Sequence, residues 1–245
     1  GDARTDIYWR DPSTGQAQVW LGWNGTAFVT RAAGLTVATA WIPSGAGDLN
    51  GDGKDDIIWR NTSTGQTSVW FMNGVTYAST AVTTTVPMPW SPVAFGDFDG
   101  DGKTDVFWHQ PSTGETSVWL AWNGTAFATQ VRTATSAAAW IPISAGDING
   151  DGRSDIFWRN NTTGETRIWF MNGAAFTNIA STKVPLDWLP TPLGDFSGDA
   201  KTDIEWRNTV TGETSVWLGW NGAAFASQVV GTRVTPTTWT PVGSP

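Results

Sequence analysis

Trp59-Arg60-Asn61-Thr62-Ser63-Thr64-Gly65 is one of five copies of a short string. The others are Trp9-Arg10-Asp11-Pro12-Ser13-Thr14-Gly15, Trp108-His109-Gln110-Pro111-Ser112-Thr113-Gly114, Trp158-Arg159-Asn160-Asn161-Thr162-Thr163-Gly164 and Trp206-Arg207-Asn208-Thr209-Val210-Thr211-Gly212. They stand 48 to 50 residues apart. A fixed period of this length makes each repeat one supersecondary unit, so the fold follows from reading a single unit.

In the third unit, Pro92 to Gly96 reads as a short apolar strand and Asp97 to Asp105 as an Asp/Gly-rich loop. Val106 to His109 is a second strand, Pro111 to Gly114 a turn, and Glu115 to Trp122 a third strand. Asn123-Gly124 is a two-residue hairpin signal, and Phe127 to Thr133 completes a fourth strand. Four antiparallel strands at this period predict a propeller blade, whose radial packing protects the sheet edges. A linear solenoid is the alternative, but its repeats are usually shorter. The expectation is an all-β, five-bladed β-propeller in one domain, residues 1–245. Its units run approximately 1–50, 51–99, 100–149, 150–197 and 198–245. Trp239-Thr240-Pro241-Val242-Gly243 aligns with Trp41-Ile42-Pro43-Ser44-Gly45, so the C-terminal strand is expected to join the N-terminal blade and close the ring.

Cysteine is absent and His109 is the one histidine, which removes disulfides, thiolate chemistry and most zinc sites. No run of about 18 apolar residues and no leader pattern occurs, so a soluble, mature or excised segment is expected, without membrane insertion. The formal charge is −8 and the basic residues are scattered singly, which argues against nucleic acid. With 18 Trp and 28 Gly in a Thr/Ser/Val-rich chain, the composition reads as extracellular β-structure, secreted or at the cell surface. A monomer is expected.

Four loops share one acidic pattern. It reads Asp48-x-Asn50-x-Asp52-Gly53-x-x-Asp56, Asp97-x-Asp99-x-Asp101-Gly102-x-x-Asp105, Asp147-x-Asn149-x-Asp151-Gly152-x-x-Asp155 and Asp195-x-Ser197-x-Asp199-Ala200-x-x-Asp203. Side-chain oxygens at positions 1, 3, 5 and 9 of a glycine-assisted bend are what a hard cation such as calcium needs. Position 7 (Lys54, Lys103, Arg153, Lys201) would add its backbone carbonyl, with its charge pointing outward. Ordinary Asx turns also concentrate Asp, Asn and Gly, but four in-phase copies favour metal. Thirteen of the 22 acids sit at ligand positions, and four divalent cations would offset the net charge. Flanking strands and the missing Glu at position 12 exclude an EF-hand. Ser197 and Ala200 predict weaker binding in the fourth loop, and Asp2 and Asp6 are what the first unit retains.

With Phe95-Gly96 before it, this loop resembles the FG-GAP/VCBS repeat family, and the resemblance covers the whole chain. It implies calcium-stabilised propellers, such as those of integrin α-chains, of fungal and bacterial lectins, and of secreted bacterial surface proteins and polysaccharide-active enzymes.

Fifteen tryptophans recur in three places per unit: Trp9, Trp59, Trp108, Trp158 and Trp206; Trp20, Trp70, Trp119, Trp169 and Trp217; and Trp41, Trp90, Trp140, Trp188 and Trp239. They are read as wedges between blades, with Arg10, Arg60, Arg159 and Arg207 adding cation–π contacts. Trp23, Trp122 and Trp220 occur in odd units, beside Asn24, Asn123 and Asn221 at a hairpin tip. Those six residues are the candidate sugar site, an apolar ring face beside an amide. His109 is read as packing rather than a catalytic base, and Glu205 as a partner of Arg207. The expected function is a calcium-binding, multivalent carbohydrate-binding module or lectin; the alternative is an extracellular protein-interaction or adhesion propeller. No catalytic group is expected, so the chain is read as a non-enzyme.

Overall fold

The computed structural model describes residues 6–23, 26–135 and 137–230. Each unit folds as an antiparallel meander. Sheet 1 has three strands, β1 (Ile7–Arg10), β2 (Gln16–Trp23) and β3 (Phe28–Thr36). Sheet 2 has four, β4 (Trp41–Gly47), β5 (Asp56–Asn61), β6 (Gln66–Asn73) and β7 (Thr76–Thr85). Sheet 3 comprises β8 (Ser91–Gly96), β9 (Asp105–Gln110), β10 (Glu115–Trp122) and β11 (Phe127–Thr135). Sheet 4 comprises β12 (Trp140–Gly146), β13 (Asp155–Asn160), β14 (Thr166–Asn172) and β15 (Ala175–Ala180). Sheet 5 comprises β16 (Trp188–Gly194), β17 (Asp203–Asn208), β18 (Thr214–Trp220) and β19 (Phe225–Val230). The predicted closing strand at 239–243, like Asp2, lies outside the described residues.

A meander alternates strand direction, so each sheet has two distinct ends. The acidic loop and the hairpin between the third and fourth strands share one end, here the loop end. The Thr-Gly turn and the link to the next sheet share the other, the connection end. First strands of successive sheets pack side by side, β4 against β8, β8 against β12 and β12 against β16. Each of these strands carries a proline, Pro43, Pro92, Pro142 or Pro190, and the register slips just after it. Proline donates no ladder hydrogen bond, so the irregularity falls where the ladder is already broken.

The second strands are buried on both faces because another sheet lies on each side of them. Alternation then sends successive side chains into different interfaces. Trp108 packs within its own sheet on Trp119, with ring centres 4.7 Å apart. Phe107 meets Trp158 of sheet 4 edge-on at 6.0 Å, and Phe157 meets Trp206 of sheet 5 in the same way at 6.0 Å. Trp59, Trp108, Trp158 and Trp206 are at most 1% exposed, as a wedge role requires, whereas Trp9 is 47% exposed.

Neighbouring sheets are tied together at the loop end. The N–H groups of Thr104, Ser154 and Thr202 donate to the carbonyls of Asp48, Asp97 and Asp147 in the preceding loop, at 2.7, 2.6 and 2.7 Å. That approach is possible because glycine precedes each acceptor. A Cβ on Gly96 would stand 2.5 Å from Ser154 Oγ and 2.7 Å from its Cβ, and Gly47 and Gly146 face Thr104 and Thr202 equally closely. Overpacking of this kind is destabilising. Gly96→Ala is expected to lower stability by roughly 1–3 kcal/mol, read as a lower urea midpoint with an unchanged m-value.

Candidate functional site

Each acidic loop is wound around its first aspartate. Asp97 Oδ1 accepts the N–H groups of Gly100 and Asp101 at 2.6 and 3.1 Å, and Oδ2 accepts that of Gly102 at 2.9 Å. Asp48, Asp147 and Asp195 repeat the arrangement in their own loops. The third and fifth positions turn inward in the same way, Asp99 accepting from Asp101 N–H at 3.1 Å and Asp101 from Lys103 N–H at 2.9 Å. In the second loop, Asp97, Asp99 and Asp105 each bring one carboxylate oxygen within 4.8 Å of the others. The first, third and fourth loops carry Asn50, Asn149 and Ser197 at position 3, a neutral oxygen in place of a carboxylate.

The ninth position has a structural duty that pattern reading missed. Asp56, Asp105, Asp155 and Asp203 are fully buried. Asp155 Oδ2 accepts from Ile148 N–H at 3.1 Å, and Oδ1 from Met171 N–H on β14 at 3.0 Å. Asp56 clamps Leu49 and Met72 likewise, and Asp203 clamps Phe196, Ser197 and Gly219. This carboxylate therefore fastens the loop to the third strand. Asp6 keeps that role in sheet 1, accepting from Gly22 N–H at 3.0 Å. Glycines at alternate loop positions hinted at a tight winding, but nothing local marks the distant N–H groups of Met72 or Met171.

The seventh position departs from expectation. Three of its four side chains turn into the protein rather than outward. Lys103 Nζ donates to the Trp122 carbonyl at 3.3 Å, Lys201 Nζ to that of Trp220 at 2.9 Å, and Arg153 Nε to that of Asp99 in the preceding loop at 3.3 Å. Lys54, Lys103 and Arg153 also lie beside the fifth-position aspartate of their own loop, at 3.3, 3.9 and 3.5 Å. Arg153 thus reaches into the preceding loop, while Lys103 and Lys201 bond the end of the third strand of their own sheet, and all three place positive charge among the carboxylates, where it reduces their repulsion.

Burial, together with Asp101 and Asp97 nearby, raises the Asp99 carboxyl above its ordinary value. Burial likewise pushes Asp56 up to about 6 and Asp155 up to about 7, against the pull of their backbone hydrogen bonds. A bound cation would favour the ionised forms of all three.

The hairpin tryptophans are a correction. Trp122 and Trp220 are 2% and 3% exposed and offer no open face to a sugar. Trp122 packs on Phe127 of its own sheet and Phe71 of sheet 2, and Trp220 on Phe225 and on Phe170 of sheet 4. The space between fanned sheets at the loop end takes these indoles inward. Asn123 and Asn221 are exposed, but their Oδ1 atoms cap the hairpins by accepting from residues two and three further on. Asn24 lies outside the described residues, as does the side chain of Trp23. Glu205 is also corrected: it accepts from Thr191 Oγ1 at 2.9 Å rather than pairing with Arg207. Of the other carboxylates outside the loops, Glu115, Glu165 and Glu213 accept from Thr113, Thr163 and Thr211 across the turns.

Four-stranded meanders stacked through their first strands, with acidic loops gathered at one end, define a propeller-type repeat protein. Residues 48–108 and 147–206 match the FG-GAP-like repeat, so the chain carries FG-GAP-like repeats in two stretches. Among solved structures, one from a nidogen/laminin complex matches with a TM-score of 0.54 at 14% identity, over 92% of this chain and 76% of that one. A post-proline cleaving enzyme from Rickettsia typhi gives a TM-score of 0.48 at 12% identity, over 83% of this chain and 31% of that one. The dihydro-heme d1 dehydrogenase NirN in complex with DHE gives 0.48 at 9%, over 92% and 53%. No curated protein sequence matches significantly.

Two outcomes follow from the loops. Ala200 occupies the glycine position of the fourth loop at φ 65°, a conformation unfavourable for a residue with a Cβ. Ala200→Gly is expected to raise stability by about 0.5–1 kcal/mol, measured by denaturant titration. In the presence of a chelator and no added metal, Asp56 and Asp155 bind their protons more tightly in the folded protein than in the unfolded chain. Their contribution is fully present below about pH 4 and lost as pH rises through about 6 to 7. Asp155→Asn should flatten that segment of the melting-temperature profile.

Proposed function

We propose that the chain closes as a five-bladed propeller, holds calcium in its acidic loops, and works at the cell surface or after secretion as an interaction module for a protein partner. The observation that carries the metal assignment is the convergence of Asp97, Asp99 and Asp105 within 4.8 Å in a loop already wound by its own backbone. In that loop the donors would be the Asp97, Asp99, Asp101 and Asp105 carboxylates and the Lys103 carbonyl, an all-oxygen set suited to calcium. The corresponding residues of the other loops would do the same, Ser197 least well. Calcium supplies the positive charge that crowded carboxylates lack.

Ring closure is supported by what sheets 1 and 5 leave uncovered. Among the described residues, β1 is an edge strand of a three-stranded sheet. Trp9 and Phe196 are 47% and 51% exposed, whereas Phe196's counterparts Leu49, Phe98 and Ile148 are completely buried. Residues 239–243 would add the missing first strand to sheet 1 and bring these surfaces together.

A protein partner is favoured over a sugar because the sugar reading rested on the Trp122 and Trp220 ring faces, which are buried. The loop end also has a cleft of ≈ 340 Å³ whose more exposed lining is polar, Asn50, Asp52, Lys54, Asn73 and Ser79, over the buried Phe71, Met72 and Trp122. Such a cleft suits a protruding side chain of a folded partner. The structural neighbour in a nidogen/laminin complex is itself described with a protein partner.

Calcium is expected to raise the melting temperature reversibly; at a hundredfold excess over Kd, one site contributes about 2.7 kcal/mol. Asp99→Asn should weaken binding in calorimetry. Identical melts in calcium and chelator would end the calcium reading. A glycan array that stays blank with calcium-loaded protein is the expected result, and a coherent set of bound sugars would restore the lectin reading.

A further inference from the structure

Each described interface between four-stranded sheets places one guanidinium on the second-strand indole of the following sheet. Between sheets 2 and 3 it is Arg60, 5.3 Å from the centre of Trp108, donating to the Val86 and Pro87 carbonyls at 3.1 and 3.0 Å. Between sheets 4 and 5 it is Arg159, 5.2 Å from Trp206, donating to the carbonyls of Pro185 and Trp188. Between sheets 3 and 4 the equivalent residue is His109, which meets Trp158 edge-on at 5.6 Å. There the guanidinium comes from the other side of the interface. Arg167 on β14 lies 4.2, 4.9 and 5.1 Å from the ring centres of Trp140, Trp158 and Trp169. Its register counterparts in sheets 2, 3 and 5 are Ser68, Ser117 and Ser215, each opposite the second-strand tryptophan.

Two substitutions therefore compensate each other: the histidine removes one cation and the arginine restores it. Arg167 Nε and Nη2 have no hydrogen-bond partner among the described residues, so indole faces hold the group. Burial lowers its pKa only to about 10, which leaves it charged at neutral pH. His109 is 1% exposed and its Nε2 also has no partner.

We propose that His109 and Arg167 form an acid-sensitive latch between sheets 3 and 4, in which protonation of His109 sets a second cation against Trp158 and loosens that interface.

The charged groups around His109 single out Arg167. β8 and β12 carry none. Glu115 on β10 bonds Thr113 in the turn, Asp105 on β9 and Asp155 on β13 are clamped at the loop end, and β15 carries no charge. Arg159 faces sheet 5. On β11 the one charged residue is Arg132, whose side chain lies outside the described ones. Burial lowers the His109 pKa. The latch thus adds stability above the ordinary histidine value of about 6.5, and that stability is lost as pH falls through the folded value.

A double-mutant cycle at pH 7, in saturating calcium, tests the pairing. His109→Arg should destabilise by adding a second guanidinium to Trp158. Arg167→Ser should destabilise by removing the first. The double variant recreates the Arg60 and Ser117 arrangement, and should be more stable than additivity allows by roughly fivefold or more in the folding constant. If His109→Arg does not fold alone, rescue by Arg167→Ser supports the pairing, and failure of the double variant to fold overturns it. His109→Gln supplies the second readout: the wild-type fall in melting temperature from pH 7 to 5 should be smaller in this variant. Additive single effects, or superimposable pH profiles for wild type and His109→Gln, would overturn the latch.

Discussion

The hydrogen bond from Thr104, Ser154 or Thr202 to the first carbonyl of the preceding acidic loop is the constraint on which the rest of the architecture turns. It fixes the distance between successive sheets at their loop ends, and it forms only where Gly47, Gly96 and Gly146 leave room. Once that distance is set, the first strands run side by side and the second strands acquire a neighbour on each face. The fully buried runs of β5, β9 and β13 follow from this stacking, since a sheet covered on one side alone would alternate with solvent.

Sheets pinned along their first strands diverge toward their fourth, and the opening between them has to be filled. Large flat side chains fill such a wedge with few groups, which explains the recurrence of tryptophan at the same places in every unit. Their ring faces attract a guanidinium, and the guanidinium in turn binds carbonyls of the inter-sheet link, as Arg60 does at Val86 and Pro87. The arrangement has an unfavourable side. The indole N–H groups of Trp59, Trp108, Trp158 and Trp206 have no partner among the described residues. Each such group costs about 1–3 kcal/mol, so shape and aromatic contact outweigh polar satisfaction at this position.

Most of the fold was legible because the repeat supplies five readings of one unit. Asn123-Gly124 marked the place of the hairpin, although its connection is four residues long, 123–126, rather than two; the alternation in Glu115 to Trp122 marked the third strand, and strand limits in sheet 3 differ from expectation by at most two residues. The loop pattern was legible for the same reason. Sequence periodicity locates a side chain along the chain but does not say which neighbour it meets in another sheet. Trp122 stands next to an exposed turn in sequence and against Phe71 of sheet 2 in space. Lys103 looks like a surface charge and reaches the Trp122 carbonyl. The stacking of Arg60 on the following sheet's Trp108, rather than on its own Trp59, is a fact of the interface and has no local mark.

The loops themselves divide two tasks that the Asp-x-Asx-x-Asp-Gly-x-x-Asp pattern presents as one. The first and ninth aspartates spend their oxygens on backbone N–H groups, and so hold the loop closed and tied to the third strand. Winding of this kind meets the ordering entropy within the chain's own fold, so that little of a cation's binding energy has to be diverted to shaping its site. The third and fifth positions are exposed or half-buried, and in the second loop closure brings an Asp99 oxygen within 4.8 Å of those of Asp97 and Asp105. Where the pattern weakens, the two tasks separate. The fourth loop keeps the Asp195 and Asp203 clamps while Ser197 replaces a carboxylate and Ala200 sits in the left-handed region, so its winding survives with a poorer set of donors. Sheet 1 goes further, retaining in Asp6 the ninth-position clamp alone among its described residues. Loop architecture is thus the more general requirement, kept in all four loops to meet the neighbouring sheet, and the oxygen cluster is what that architecture makes available.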